Sequence, residues 1–292
     1  MDKLILKAFG KINLMLDITG RREDGYHLLK SIMHTVELCD TVTIERNDTG
    51  LVRVFSDNEQ TGPMEDNIAY KAAMLIKETC GISDGLDIRL YKKIPIAAGM
   101  AGGSADCAAV LKGLDRMYGL KLGPRLYELG LKLGADVPFC IKNGCELCEG
   151  IGEIMTEAPY LPDCYIVVAK PPVSVSTKDV YREIDKREII KHPDPEKMKK
   201  ALIAGDLKAI CGQMYNVLEE VTADKHPVIR EIEEMMDQSR AVKSIMTGSG
   251  PTVTGIFDDP EAAEQAAGKI KASGKAECVY ITEPYRPERE YS

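Results

Sequence analysis

The chain has 292 residues, 44% of them hydrophobic and 29% charged, with nine cysteines and a formal net charge of −8. That composition fits a soluble globular protein of one large or two mid-sized domains, long enough to build a core without disulfides or a structural metal. The acidic balance, with no dense lysine and arginine stripe, excludes nucleic acid as the main partner, and the absence of an apolar run of about 18 residues excludes a transmembrane helix. An odd number of scattered cysteines reads as reduced thiols. With no cleavable signal pattern in the first residues, the expected compartment is the cytoplasm.

Residues 11–18 alternate, with Ile12, Leu14, Leu16 and Ile18 on one face and Lys11, Asn13, Met15 and Asp17 on the other. This predicts a half-buried strand. Residues 36–45 and 51–55 read as a hairpin joined through Arg46-Asn47-Asp48-Thr49-Gly50. Asp66-Asn67 can cap a helix with an Ala69, Ala72, Ala73 and Ile76 stripe that stops at Gly81. Leu86, Ile88 and Leu90 mark another strand. A glycine-rich loop over 94–103 then feeds a helix expected from about Ser104 to Tyr118, and a further helix over 124–133 stops at Gly134. Cys140, Cys145 and Cys148 have a spacing that iron–sulfur proteins also use. Cys145 and Cys148 fall in a strand-like segment, where residues three apart face opposite sides, so the three read as small buried hydrophobes.

The second half reads as a strand over 165–169, helices to about 238 with a polar break over 191–195, and strands over 244–247 and 252–257. A helix over 260–273 and a strand over 277–282 close it. That order fits a ferredoxin-like split βαβ layer. The fold class is α+β in two domains, 1–160 and 161–292.

Three segments carry candidate chemistry. The first is Pro95-Ile96-Ala97-Ala98-Gly99-Met100-Ala101-Gly102-Gly103-Ser104-Ala105. Its glycines let backbone approach a ligand closely, and it opens into a helix whose first N–H groups favour an anion. Ser104 could cap that helix or bind phosphate or Mg²⁺; a flexible connector would look the same. The second segment is Gly134-Ala135-Asp136-Val137-Pro138, where Asp136 could also be a plain turn former. The third is Gly248-Ser249-Gly250 with its flanking threonines, a phosphate-closing turn or an ordinary tight one. No Walker loop and no protein-kinase motif is present.

In this order the three segments resemble the GHMP kinase superfamily over nearly the whole chain. The glycine loop is similar to its phosphate-binding motif and Gly248-Ser249-Gly250 to its C-terminal glycine motif. Met100, Ala105 and Cys107 depart from the commonest residues of that loop. The stretch Gly20-Arg21-Arg22-Glu23-Asp24-Gly25-Tyr26-His27 resembles the branch whose acceptor is a cytidine diphosphate alcohol. The resemblance implies an N-terminal ribosomal S5 domain 2-like half carrying the ATP loop and catalytic residues. It also implies a C-terminal half that closes the substrate cleft. ATP and Mg²⁺ are the implied cofactors, with Ser104 a candidate metal residue. Asp136 matches the family's catalytic base and Lys11 the lysine that orients it and steadies the transferring charge. Without the resemblance, Lys11 reads first as a solvated strand lysine. Asn13, Tyr26, His27, Thr177 and Tyr181 match the acceptor-binding residues, Tyr26 and Tyr181 as stacking rings and His27 as the reader of the base. The bland readings are a hairpin pair for Tyr26 and His27, and a helix cap at Ser176 or Thr177 followed by a core tyrosine. A kinase of homoserine, mevalonate or a sugar, and a non-catalytic nucleotide-binding protein of this fold, are the alternatives.

Overall fold

The computed structural model describes residues 2–287. The elements begin with β1 (Lys3–Arg21), β2 (His27–Asn47), β3 (Val52–Ser56), α1 (Ile68–Cys80), β4 (Gly85–Tyr91), α2 (Gly102–Tyr118), α3 (Arg125–Leu133) and α4 (Val137–Lys142). They continue with β5 (Cys145–Gly150), β6 (Ile154–Glu157), β7 (Tyr165–Lys170), α5 (Thr177–Ile184), α6 (Pro195–Ala204), α7 (Leu207–Gln213) and β8 (Tyr215–Asn216). The last are α8 (Glu219–Lys225), α9 (Val228–Asp237), β9 (Lys243–Met246), β10 (Val253–Phe257), α10 (Pro260–Ser273) and β11 (Cys278–Thr282). Contacts divide the chain into two compact units. One holds the residues up to Gly10, 38–96 and 101–142, and the other 11–37, 97–100 and 143 onward. The long strands β1 and β2 contribute to both.

In the first unit the strand order is β3-β4-β2-β1. The expected hairpin of 36–45 with 51–55 does not form, because β4 lies between the two strands. Val42 pairs with Leu90 in the antiparallel sense, and Val54 with Ile88 in the parallel sense. A parallel pair needs a crossover, and α1 supplies it. The residues after β2 curl locally instead: Asn47 Oδ1 accepts the Thr49 N–H at 2.9 Å, and Asn47 Nδ2 donates to Leu51 O and Asp87 Oδ1. Gly85 lets β4 start there, since a Cβ at this position would lie 1.9 Å from Asn47 Oδ1. Helix α1 begins as expected, with the Asn67 side chain accepting the Ala69 N–H, and it buries Ala69, Ala72, Ala73 and Ile76.

The second unit contains an antiparallel sheet of order β11-β7-β10-β9. With these strands numbered in chain order the arrangement is 4-1-3-2, the split βαβ layer read from the sequence. Phe257, Met246, Val167, Ile229, Ile232 and Ile270 are among the buried residues that join this sheet to α9 and α10. The same unit pairs β2 with β5, β5 with β6, and Met15 and Leu16 of β1 with β8. Residues 11–18 were expected to be half-buried; all eight are buried. The polar face is covered because its side chains find partners: Asp17, for instance, receives His192 Nδ1 at 2.9 Å.

Candidate active site

Lys11 is 4% exposed, so its ammonium has little water around it. It donates to Asn13 Oδ1 at 2.7 Å and to the Gly99 carbonyl at 2.9 Å, both neutral acceptors. It forms no ion pair among the described residues. An ammonium has three N–H donors, which leaves one for a ligand. A desolvated cation without a counter-charge is costly, so the position is suited to an anion. The Lys11 N–H also bonds the Met100 carbonyl at 3.1 Å, tying the strand to the loop tip. Asn13 is fixed in turn: Nδ2 donates to Ser31 Oγ, its N–H bonds Thr247 Oγ1, and Thr247 Oγ1 reaches back to Asn13 Oδ1.

The loop is built on left-handed backbone. Ala97, Gly99 and Ala101 have φ of 50°, 75° and 59°. Two of these are alanines, for which this region is strained, a state that tight ligand loops retain. Gly99 packs backbone to backbone against the third motif. A Cβ on Gly99 would stand 2.2 Å from the Thr247 carbonyl, and one on Gly248 2.8 Å from the Gly99 carbonyl. Asn216, buried beside this turn, donates to the carbonyls of Met246 and Gly248.

Helix α2 starts at Gly102 with Ala101 as its cap and no side-chain capping bond. The expected start at Ser104 is therefore corrected by two residues, and Ser104 is not a cap. The first helical N–H to bond back is that of Ala105, to Ala101 O at 2.9 Å. Geometry thus leaves the N–H groups of Gly102, Gly103 and Ser104 free of helix partners, as an anion cradle requires. The Ser104 hydroxyl has no hydrogen-bond partner among the described residues.

Both ends of the loop are tied by a buried charge cluster. Asp40 Oδ1 accepts the N–H groups of Lys93 at 2.6 Å and Ile94 at 2.8 Å, just before the loop. Its other oxygen meets Lys92 Nζ, which also meets Asp106, the fifth residue of α2. Burial pushes the Asp106 carboxyl up to about 7; the Lys92 charge opposes this and the Asp40 charge adds to it. Burial pulls on the Lys92 ammonium too, but Asp106 and Asp40 outweigh it and hold its pKa above the usual lysine value.

Asp136 stands immediately before α4, half-buried, and its carbonyl accepts the Cys140 N–H. Its carboxylate has no partner among the described residues. Of the expected acceptor residues, Asn13 bonds Lys11 and the others lie at the β1–β2 turn, the start of β2 and α5. His27 and Tyr181 stack with centroids 4.8 Å apart and planes at 28°. Tyr26 is 60% exposed at the tip of the β1–β2 turn, where Gly25 takes φ 91°. Thr177 begins α5, whose cap is Ser176, and its hydroxyl lies 2.8 Å from Ser249 Oγ.

Two family models match the chain, "GHMP kinases N terminal domain" over residues 67–144 and "GHMP kinases C terminal" over 198–276. The chain belongs to the GHMP kinases. It is accordingly a phosphotransferase. It is 46% identical over 267 residues to the 4-diphosphocytidyl-2-C-methyl-D-erythritol kinase of Alkaliphilus metalliredigens, covering 91% of this chain and 92% of that one. Against the enzyme of the same name from Lachnospira eligens the identity is 42%, covering 98% and 100%. Among solved structures, a 4-(cytidine 5'-diphospho)-2C-methyl-D-erythritol kinase superposes with TM-score 0.81 at 31% identity, over 97% of this chain and 100% of the other. A homoserine kinase from Cytophaga hutchinsonii gives TM-score 0.79 at 18% identity, over 98% and 95%, which is a likeness of fold alone.

Sequence reasoning named the GHMP loop and Lys11 but missed the groups that hold them. Asp40, Lys92, Asp106 and Asn216 act through contacts between residues far apart in the chain, which no local pattern announces. One signal was available: Lys92-Lys93 directly before Ile94-Pro95 is a cation pair at the mouth of a glycine loop.

Proposed function

We propose that this kinase transfers the γ-phosphoryl group of ATP to the 2-hydroxyl of 4-diphosphocytidyl-2-C-methyl-D-erythritol, in non-mevalonate isoprenoid precursor synthesis in the cytoplasm. The observation that carries the reading is Lys11: a buried ammonium, held by neutral acceptors against the glycine loop, with one donor left for a phosphate. The names of the relatives and the Tyr26-His27 stretch support the choice of acceptor. Residues 1–160 supply the nucleotide loop and the reacting residues, and those from 161 on complete the acceptor site with Thr177 and Tyr181.

Phosphoryl transfer asks for positioning and charge neutralisation more than for covalent help. In this reading the N–H groups of Gly102, Gly103 and Ser104 bind phosphate oxygens, and Lys11 balances charge on the transferring group. Asp136, whose carboxylate is unengaged, accepts the proton of the attacking hydroxyl. Asn13 orients the acceptor. Mg²⁺ prefers oxygen ligands and keeps most of its water, so one or two protein oxygens besides the phosphates suffice. The free Ser104 hydroxyl fits such a role, and the metal would neutralise phosphate charge there. No cluster of three or more histidine, cysteine or acidic ligands occurs among the described residues, which fits a metal carried by nucleotide. The test is Lys11→Met, which should abolish turnover while CDP still binds in calorimetry. Turnover at the wild-type rate would remove Lys11 from the mechanism.

A further inference from the structure

His27 opens β2 with its side chain only 11% exposed. Its Nε2 lies 2.6 Å from Asp185 Oδ1, and one face of the ring is covered by Tyr181. Asp185 is the C-cap of α5. A carboxylate there faces the negative end of the helix dipole and is disfavoured by helix energetics. Its placement makes sense through its partners. The second oxygen of Asp185 receives Arg21 Nη1 at 3.3 Å, and Arg21 Nε donates to the Gly25 carbonyl at 3.2 Å. One guanidinium therefore braces both the carboxylate and the Tyr26 turn.

This arrangement dictates what the imidazole can read. A carboxylate only accepts, so the proton on the His27–Asp185 bond belongs to Nε2; in a neutral imidazole the other nitrogen is then an acceptor. Nδ1 has no partner among the described residues. An acceptor fixed beside a stacking ring matches a base edge that presents an amine. It opposes an edge that presents a carbonyl, because two acceptors cannot share a hydrogen bond.

We infer that Asp185, braced by Arg21, is the positioning residue that locks His27 as an acceptor and makes the site select an amino-pyrimidine over an oxo-pyrimidine. The inference rests on the reading that the acceptor carries cytidine, and it adds the element that tells cytosine from uracil. The same logic governs metal-binding histidines, whose ring orientation and tautomer are set by a carboxylate on the far nitrogen.

The experiment compares CDP and UDP binding by calorimetry in the wild-type protein, Asp185→Leu, Asp185→Asn and Asp185→Glu. The ¹⁵N spectra of the histidines and the ATP KM are recorded alongside. The wild type should prefer CDP with His27 in the Nε2–H form. Asp185→Leu should lose roughly tenfold or more of its CDP affinity, the factor for one mismatched buried hydrogen bond. It should also bring UDP close to CDP, mix the His27 tautomers and leave the ATP KM unchanged. Asp185→Glu should recover part of the preference. If the leucine variant fails to fold, Asp185→Asn serves instead: its amide can donate to Nε2, so it should invert the tautomer and erode the preference. An unchanged CDP-to-UDP ratio in the folded variants overturns the inference while the proposed function stands. A changed ratio with the tautomer intact overturns it too. A wild-type protein that binds neither nucleotide sinks both readings.

Discussion

Asp136 is the proposed general base, and its surroundings make it a clean target. Its side chain is half-buried and engages no other described residue, so Asp136→Asn removes a charge without breaking a contact. We expect kcat to fall by about 10²–10⁴, the span for a positioned general base, with the melting temperature and ATP KM nearly unchanged. Steady-state kinetics with a thermal melt check this, and wild-type kcat in the variant would count against the role. His34 gives a pH prediction of different character. It is fully buried, with Nδ1 2.7 Å from the Thr35 carbonyl and Nε2 accepting the Leu161 N–H at 3.1 Å, a neutral tautomer held at both ends. Burial lowers its pKa to about 4, the Thr35 carbonyl partly opposing. The unfolded chain, near 6.5, therefore takes up this proton first as the pH falls. The stabilisation is full above about 6.5 and is lost progressively toward 4, in all about 3 kcal/mol. Urea unfolding of wild type against His34→Gln should show a stability gap that narrows over that window. A gap constant from pH 7.5 to 4.5 would argue that His34 is not held neutral.

At the scale of elements, the glycine loop separates two kinds of glycine. Gly99 is structural: alanine there would meet the Thr247 carbonyl at 2.2 Å on a backbone with φ 75°. Gly103 is exposed, and its added Cβ would find only Ile68 at 3.6 Å. Gly103→Val should therefore melt like the wild type while its ATP KM rises roughly tenfold or more, from the loss of phosphate hydrogen bonds. Gly99→Ala should lower the melting temperature and the activity together. If Gly103→Val leaves ATP binding intact, the cradle is elsewhere. The cluster behind the loop makes a stability prediction: Lys92→Met strands two buried carboxylates and should cost about 3–5 kcal/mol in urea unfolding. Less than about 1 kcal/mol would mean the pair is already neutralised by protonation. Much at this scale was legible in the sequence. The Asn67 cap, the Gly81 stop and the Ala69-Ala72-Ala73-Ile76 stripe are local signals and hold residue for residue. The errors came where long-range pairing overrode local pattern. Nothing in residues 36–55 says that β4 will insert between two strands adjacent in sequence. Nor does alternation along residues 11–18 say that the polar face will also be covered. The start of α2 was misread because its cap is an alanine in the left-handed region, a position the sequence gives no reason to expect.

At the scale of the whole molecule, the alternating order of strands and helices in the second half was enough to read the 4-1-3-2 sheet, because few topologies satisfy that order. The long shared strands β1 and β2, and the short β8 that pairs with Met15 and Leu16, were not visible as such, since each depends on a partner far away in the chain. The site shows the same division. Lys11, the glycine loop, Asp136 and the Tyr26-His27 stretch are motif residues and stand out in sequence. Asp40, Lys92, Asp106, Asn216 and Asp185 are known only by what they touch. The identity of the acceptor can be read from a single experiment. The protein is incubated with MgATP and, separately, 4-diphosphocytidyl-2-C-methyl-D-erythritol, homoserine, mevalonate and galactose, and products are followed by ³¹P NMR. A new phosphomonoester should form on the cytidine diphosphate alcohol alone, one for one with ADP. A phosphomonoester on homoserine, mevalonate or galactose instead, or ATP left intact with every acceptor, would contradict it.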